Sequence, residues 1–221
     1  MNDVKYPVSL DVGLRFFGQI TASISHEIKN CLAIMNENAG LLQDLIIMGQ
    51  RGTPLDPERI NRIAGKINGQ VQRADSVVKH LNRFAHSTDD LEKSMDLMEA
   101  LSLTIALNRR LAVNRGVELN LTDPEEVCVV SANPFLFQYL ISRGLDVLIE
   151  TGSAKRIDIM LKRTEERVTV SFALDAGLGD VESVMHFRKE YEAVLQRLGC
   201  QMDWDEKQTE VQLIFQPSDG G

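Results

Sequence analysis

Residues 25–30, which read SHEIKN, combine side chains that suit phosphoryl transfer. A neutral imidazole nitrogen, such as that of His26, is a good nucleophile near pH 7. The Glu27 carboxylate beside it can hold the ring tautomer or take its second proton. The Asn30 amide, four residues after His26, can orient a water molecule. These residue types therefore predict chemistry at His26, with Glu27 and Asn30 assisting.

Two alternatives for His26 are a zinc site and a merely solvated side chain. Zinc sites of the HExxH type need a second histidine four residues after the first. Asn30 occupies that position, so this pattern is excluded. An exposed histidine with no partner would simply be hydrated, and this alternative stays open on the residues alone.

The segment that carries His26 has a helical period from about Leu10 to Met48. At about 100° per residue, His26 lies about 200° from Ile24, on the polar side, and Asn30 lies about 40° from His26. Apolar residues form a broad opposite surface, wider than the seam of a two-stranded coiled coil. They are Ile24, Ile28, Cys31, Met35, Ala39, Leu42 and Ile46, with Ile34, Leu41 and Leu45 beside them.

A second helix follows a break at residues 49–57. Asp56 before Pro57 is typical of an N-cap followed by proline at the first helical position. The apolar period continues to Ala85 and stops at residues 86–90. Two long helices joined by a short loop predict an antiparallel hairpin, and pairing two hairpins into a four-helix bundle would bury their apolar surface. The sequence thus predicts a homodimerising domain over residues 1–90.

The remainder, residues 91–221, predicts a small α/β sandwich. Helices are expected at 97–112, 134–149 and around 191–198. Strands are expected at 116–121, 128–131, 157–162, 168–174 and 211–215. Mixed helices and strands with the strands clustered late favour an α+β fold.

Composition and charge exclude several classes of protein. A net charge of −8 argues against non-specific binding to nucleic acid or anionic lipid, which needs clustered lysine and arginine. The chain has neither an N-terminal signal-peptide pattern nor an apolar run of about 20 residues, so no membrane insertion is expected. Cys31, Cys128 and Cys200 lie far apart without a CxxC pair, which favours reduced thiols and a cytoplasmic location.

The run SHEIKNCLAIMNENAGLL resembles the phosphoacceptor helix of sensor histidine kinases, whose pattern is His-Glu-x-Lys-Asn-Pro-Leu. The run LNRFAH at 81–86 resembles the segment that closes their second helix. The resemblance implies that His26 is phosphorylated, that Glu27 is its acid/base partner and that Asn30 matches a phosphatase-type amide. Cys31 stands where the family usually has proline.

The family's ATP-binding domain carries an Asn-x-x-x-Asn-Ala pattern that holds Mg²⁺ and phosphates, and this chain departs from it. Aligned on Leu145 and Asp146, the two asparagine positions are Tyr139 and Arg143. Mg²⁺ prefers oxygen ligands, whereas arginine presents only donors. The nucleotide chemistry therefore looks degenerate.

The run DAGLG at 175–179 resembles the family's Asp-x-Gly-x-Gly box. The resemblance implies that Asp175, Gly177 and Gly179 mark a relic nucleotide site, although a plain turn explains the run as well. Only about ten residues separate Gly179 from the helix expected near Tyr191. The family's long lid and second glycine-rich loop are therefore expected to be missing.

This combination is similar to the dimeric histidine phosphotransferases thought to derive from kinases. It predicts phosphoryl transfer between His26 and the aspartates of response-regulator receiver domains, with no cofactor. Two alternatives stay open: a histidine kinase that uses Mg-ATP, and a non-catalytic regulator or phosphatase of a response regulator.

Overall fold

The chain folds into two compact units. The structure, a computed structural model, describes residues 8–151, 154–205, 207 and 209–216. Phe17–Arg83 forms the first unit, called here the hairpin unit. The remaining described residues form the second, called the α/β unit. Each has its own buried residues.

The hairpin unit consists of most of α1 (Leu10–Gln50) and α2 (Pro57–Ala85). Asp56 caps α2 as the sequence predicts, because its carboxylate accepts a hydrogen bond of 3.0 Å from the Glu58 backbone N–H. The buried apolar side chains in this unit are Ile20, Ile24, Cys31, Leu45, Ile63 and Val77. The predicted hairpin is therefore confirmed.

The compact units divide at Phe16 and Phe17 and again at Arg83 and Phe84, and the domain division at residue 90 stays a prediction. Phe16, near the start of α1, and Phe84, near the end of α2, both belong to the α/β unit. They are 2% and 0% exposed, and their ring centroids lie 5.7 Å apart in an edge-to-face pair. Burial of two large aromatic rings makes the helix ends part of the α/β core.

The α/β unit is a sheet packed on helices. A 3₁₀ helix (His86–Thr88) precedes the unit's two long helices, α3 (Leu97–Asn114) and α4 (Pro134–Thr151). The five-stranded sheet has the order β2-β4-β5-β7-β6, with β2 parallel to β4 and the other pairs antiparallel. Its strands are β2 (Glu118–Leu121), β4 (Arg156–Arg163), β5 (Val168–Leu174), β6 (Cys200–Trp204) and β7 (Glu210–Phe215). Separately, β1 (Lys93–Asp96) pairs antiparallel with β3 (Val129–Ala132).

The core of the α/β unit lies between the helices and one face of the sheet. Alternate residues of β4 and β5 are buried, as the period of a half-covered strand requires. Fully buried residues from the helices and the sheet meet there: Leu97, Leu101, Leu136, Leu140, Leu145, Ile157 and Ile159. The α+β prediction is confirmed.

Strand β1 is not predicted from the sequence, and two further elements also differ from the expectation. Residues 181–190, where no helix is predicted from the sequence, form α5 (Val181–Glu190), followed by α6 (Glu192–Arg197). The Asp180 carboxylate starts α5 by accepting hydrogen bonds from the backbone N–H groups of Glu182 and Ser183. Asp203 and Trp204, for which no strand is predicted from the sequence, lie in the edge strand β6, where packing against β7 outweighs the polar local sequence.

Candidate functional site

His26 lies on the exposed side of α1, as the helical period predicts. Its neighbours Ile24 and Cys31 are 4% and 1% exposed and fix which side of the helix faces inward. His26 and Asn30 are both exposed. The imidazole is therefore accessible to a reactant from solvent.

Asn30 makes a direct contact with the His26 ring. Its amide Nδ2 lies within hydrogen-bond distance of His26 Nδ1, at 3.2 Å. The two residues are four apart, and residues at this spacing are neighbours on one helix face. The structure thus brings together two of the three residues predicted for this site.

Glu27, the third predicted residue, makes its contact with the other helix. Arg73 of α2 donates from Nη2 to Glu27 Oε1 at 2.9 Å, and this ion pair links α1 to α2. The hydrogen bond to Glu27 raises the pKa of the Arg73 guanidinium above its ordinary value. Sequence reasoning missed Arg73 because only the register of the hairpin places it opposite Glu27.

His80 lies on the same flank of α2 as Arg73, two turns further on. Burial lowers its pKa below the ordinary histidine value, and the positive charge of Arg83 adds to this effect. The negative charge of Glu27 opposes it. The charge of Glu27 thus contributes to the pKa of His80, and no sequence motif pointed to this residue.

The structure gives no metal site in the part of the chain that it describes. No group of three or more histidine, cysteine, aspartate or glutamate side chains lies close enough together there to hold an ion. The three cysteines are buried and form no disulfide. Burial raises the pKa of the Cys200 thiol to about 12.

The three residues predicted to mark a relic nucleotide site lie together in the turn after β5. Gly177 and Gly179 have φ angles of +78° and +61°, a left-handed conformation that glycine adopts without strain. The exposed Asp175 carboxylate accepts a hydrogen bond of 3.0 Å from the Lys155 backbone N–H. This bond ties the turn to the residue before β4, so Asp175 has a structural partner here.

The face of α4 that carries Tyr139 and Arg143, called here the α4 face, is covered by aromatic rings. Tyr139 is 6% exposed, and its ring centroid lies 5.2 Å from that of Phe16. Its hydroxyl is 3.5 Å from the Tyr191 hydroxyl. Burial, followed by this contact, raises the pKa of Tyr191 above its ordinary value.

Arg143 is also engaged in the interior of the α/β unit. Its guanidinium lies 5.5 Å from the Phe16 ring centroid, and its Nη1 is 3.0 Å from Asp146 Oδ2. Burial raises the pKa of Asp146, while the charge of Arg143 partly offsets this effect. The guanidinium thus contacts an aromatic face and a carboxylate of its own helix.

Helix α5 also packs against α4. Phe187 is buried and stacks on Tyr191, with ring centroids 4.3 Å apart. Its ring lies 3.7 Å from the position that a Cβ atom would take on Gly144 of α4. The nearby cavity is apolar and about 30 Å³, which is room for about one water molecule.

The α4 face does not fit Mg-ATP, the group that the family resemblance implies. Tyr139 and Arg143 offer no carboxylate or amide oxygen to Mg²⁺. Phe16, Tyr191 and Phe187 fill the surrounding space. These residues therefore give no basis for a nucleotide-dependent step.

Comparisons with known proteins give a structural match. No family model and no curated protein matches the sequence. The histidine kinase AdeS of Acinetobacter baumannii superposes with a TM-score of 0.50 at 10% identity, over 88% of this chain and 98% of AdeS. The cytoplasmic segment of histidine kinase QseC gives 0.40 at 16% identity, over 67% and 95%.

A structure described as a bacterial phosphotransferase gives a TM-score of 0.47 at 13% identity, over 94% of this chain and 98% of that chain. The similarity to AdeS identifies the fold: this chain has a histidine-kinase-like fold, with a long helical hairpin followed by a mixed sheet and helices. Among the described residues, every helix is too short or too polar to span a bilayer.

Proposed function

We propose that the chain is a histidine phosphotransferase of two-component signalling, with His26 as the phosphorylated residue. The observation that carries this proposal is the exposed imidazole of His26 beside the Asn30 amide and Glu27, on a hairpin of the histidine-kinase-like fold. The partners are receiver domains that carry an aspartyl phosphate.

The transfer step forms one bond and breaks one. A lone pair on His26 Nε2 attacks phosphorus while the bond between phosphorus and the receiver's aspartate oxygen breaks, and the aspartate leaves as a carboxylate. This step requires the tautomer of His26 that carries its proton on Nδ1, where a hydrogen-bond acceptor stabilises the positive ring that forms. The reverse step passes the phosphoryl group to a second receiver.

The composition of the α4 face supports a transferase over a kinase. A kinase would need a nucleotide held by groups that this face lacks, since aromatic rings occupy the space around Tyr139 and Arg143. A transferase receives its phosphoryl group already activated as an acyl phosphate, so it needs no nucleotide of its own.

We further propose that the hairpin unit pairs with a second copy. Large apolar side chains on the hairpin are exposed in the single chain, and a four-helix bundle would cover them. They are Leu32, Ile34, Leu41, Ile46, Ile47, Met48, Val71 and Val78.

The test is transfer from a phosphorylated receiver domain, with a His26→Ala variant as the control. Native protein should acquire label that is stable in base and labile in acid, the behaviour of a phosphorylated imidazole, and the variant should acquire none. Label on both proteins, or on neither across a panel of receivers, would contradict the proposal.

The same assay separates the transferase from the kinase and the phosphatase. Label acquired from Mg-ATP alone and lost in His26→Ala would establish a kinase. A phosphatase would release inorganic phosphate from the receiver, and an Asn30→Ala variant would lose this release while His26 still accepted label.

A further inference from the structure

The ion pair between Arg73 and Glu27 has a consequence for the state of His26. Glu27 follows His26 directly in α1, yet its Oε1 lies 2.9 Å from Arg73 Nη2. The His26 ring makes its hydrogen bond with Asn30 instead. The carboxylate predicted to assist His26 is therefore engaged by α2.

The contact with Asn30 favours one of the two neutral tautomers of His26. The Asn30 Nδ2 group is a donor, so the 3.2 Å contact requires a lone pair on His26 Nδ1. In a neutral imidazole the proton then resides on Nε2. This tautomer has no lone pair on Nε2 with which to attack phosphorus.

The opposite tautomer needs an acceptor at Nδ1. A carboxylate accepts hydrogen bonds only, so Glu27 at Nδ1 would draw the proton there and leave the lone pair on Nε2. While Oε1 is bound to Arg73, Glu27 is drawn toward α2. The charge of Arg73 therefore opposes the tautomer that can react.

We propose that Arg73 is a positioning residue that holds Glu27 toward α2, so that Asn30 keeps unphosphorylated His26 in its unreactive tautomer until the pair opens. The inference rests on the proposed function for its consequence in phosphoryl transfer. The tautomer itself is a property of the protein alone and is measured without any partner.

The exposure of the pair sets the size of the expected effect. The side chains of Arg73 and Glu27 are 55% and 28% exposed. Exposed ion pairs are weak, and they shift an equilibrium by about two- to fivefold. The pair can therefore bias the tautomer and still open when a receiver docks.

The test is nitrogen NMR of the imidazole side chains in the full-length protein labelled with ¹⁵N. We expect the proton mainly on Nε2 in native His26. In Arg73→Met, the fraction with the proton on Nδ1 should rise about two- to fivefold. Arg73→Lys, which keeps an ammonium group near Glu27, should resemble the native protein.

Two further variants make the result specific. Arg62→Met removes the same charge from α2 at a position with no ion pair among the described residues, and it should leave the tautomer unchanged. In Arg73→Met combined with Glu27→Ala, the proton should return to Nε2, because the acceptor has been removed. An unchanged tautomer in Arg73→Met would overturn the inference, as would a shift that persists in the double variant.

Phosphoramidate then tests the consequence for reactivity. Its phosphorus is attacked by Nε2 as its bond to nitrogen breaks and ammonia leaves. Arg73→Met should acquire the phosphoryl group about two- to fivefold faster than native protein, and a slower rate would contradict the inference. If the tautomer shifts as expected but neither phosphoramidate nor a phosphorylated receiver labels His26, the proposed function fails and the positioning role of Arg73 stands.

Discussion

The candidate residues His26 and Asn30 of the hairpin unit are exposed to solvent, whereas those on the α4 face of the α/β unit are packed against aromatic rings. On the hairpin, His26 and Asn30 are exposed, and their contact with each other spans a single helical turn. On the α4 face, Tyr139 is almost fully buried against aromatic rings from distant parts of the chain. The first group of side chains is open to solvent, and Tyr139 is part of a core.

This difference has a physical cause. A nucleophile must stay accessible and keep its polar partners, which costs little on the surface of a helix. Tyrosine and phenylalanine gain their stability only when they are removed from water. The polar side chains of the hairpin site are therefore left exposed to solvent, while the α4 face is stabilised by aromatic packing.

The largest expected effect separates packing from chemistry. Leu101→Ala, at a fully buried position of α3, should lower the free energy of unfolding by about 2–5 kcal/mol. His26→Ala should change it by less than about 0.5 kcal/mol, because the side chain is exposed. Urea unfolding followed by circular dichroism measures the free energy of unfolding of both variants. Similar decreases in the two variants would contradict the difference between the buried and the exposed position.

A second prediction concerns the α4 face. Replacing both Tyr139 and Arg143 by asparagine should not create binding of Mg-ATP, because Phe16, Tyr191 and Phe187 still surround the site. The change should also cost about 3 kcal/mol of stability through the lost aromatic packing. Calorimetric titration with Mg-ATP checks the first point. Micromolar binding by the double variant, absent from Tyr139→Phe, would show that the two residues alone exclude the nucleotide.

A third prediction concerns the apolar side of the hairpin. Ile46→Glu, at a position that is 54% exposed, should weaken dimerisation about tenfold or more, since a charge would enter the proposed interface. Leu91→Glu, 65% exposed in the α/β unit, serves as the matched control and should leave the association unchanged. Sedimentation velocity measures both. A native protein that is monomeric at micromolar concentration would remove the basis for the dimer.

The smallest effect is expected from His80. Its pKa is lowered in the folded chain, mainly by burial and then by Arg83, with Glu27 opposing, so the unfolded chain binds a proton at higher pH. The free energy of unfolding should therefore fall as the pH drops below about 6.5. His80→Gln should reduce the loss between pH 7.5 and 5.5 measured by urea unfolding. His186→Gln, at an exposed position, should not.

Much of the hairpin followed from local sequence. The helical period placed His26 on the exposed side, and Asp56 with Pro57 located the start of α2. The contact between His26 and Asn30 also follows from helix geometry. Such features depend on residues three or four apart, so the sequence contains them directly.

The α/β unit was predictable in its class and less so in its details. Strand β5 begins and ends as predicted, because alternating apolar residues define it. Helix α5 and strand β6 were missed, since a short helix and an edge strand depend on contacts with α4 and β7. The apolar pattern in these two segments is too short and too polar to predict a helix or a strand.

The sequence by itself determined the exposed position of His26, the helix that presents it and the presence of tyrosine and arginine at positions 139 and 143. Only the tertiary structure decided which side chains surround Tyr139 and Arg143 and where Glu27 points. Phe16, Tyr139 and Tyr191 meet, and Arg73 reaches Glu27, across long separations in the chain. These contacts arise from the register of packed elements, a property of the whole fold that no local pattern encodes.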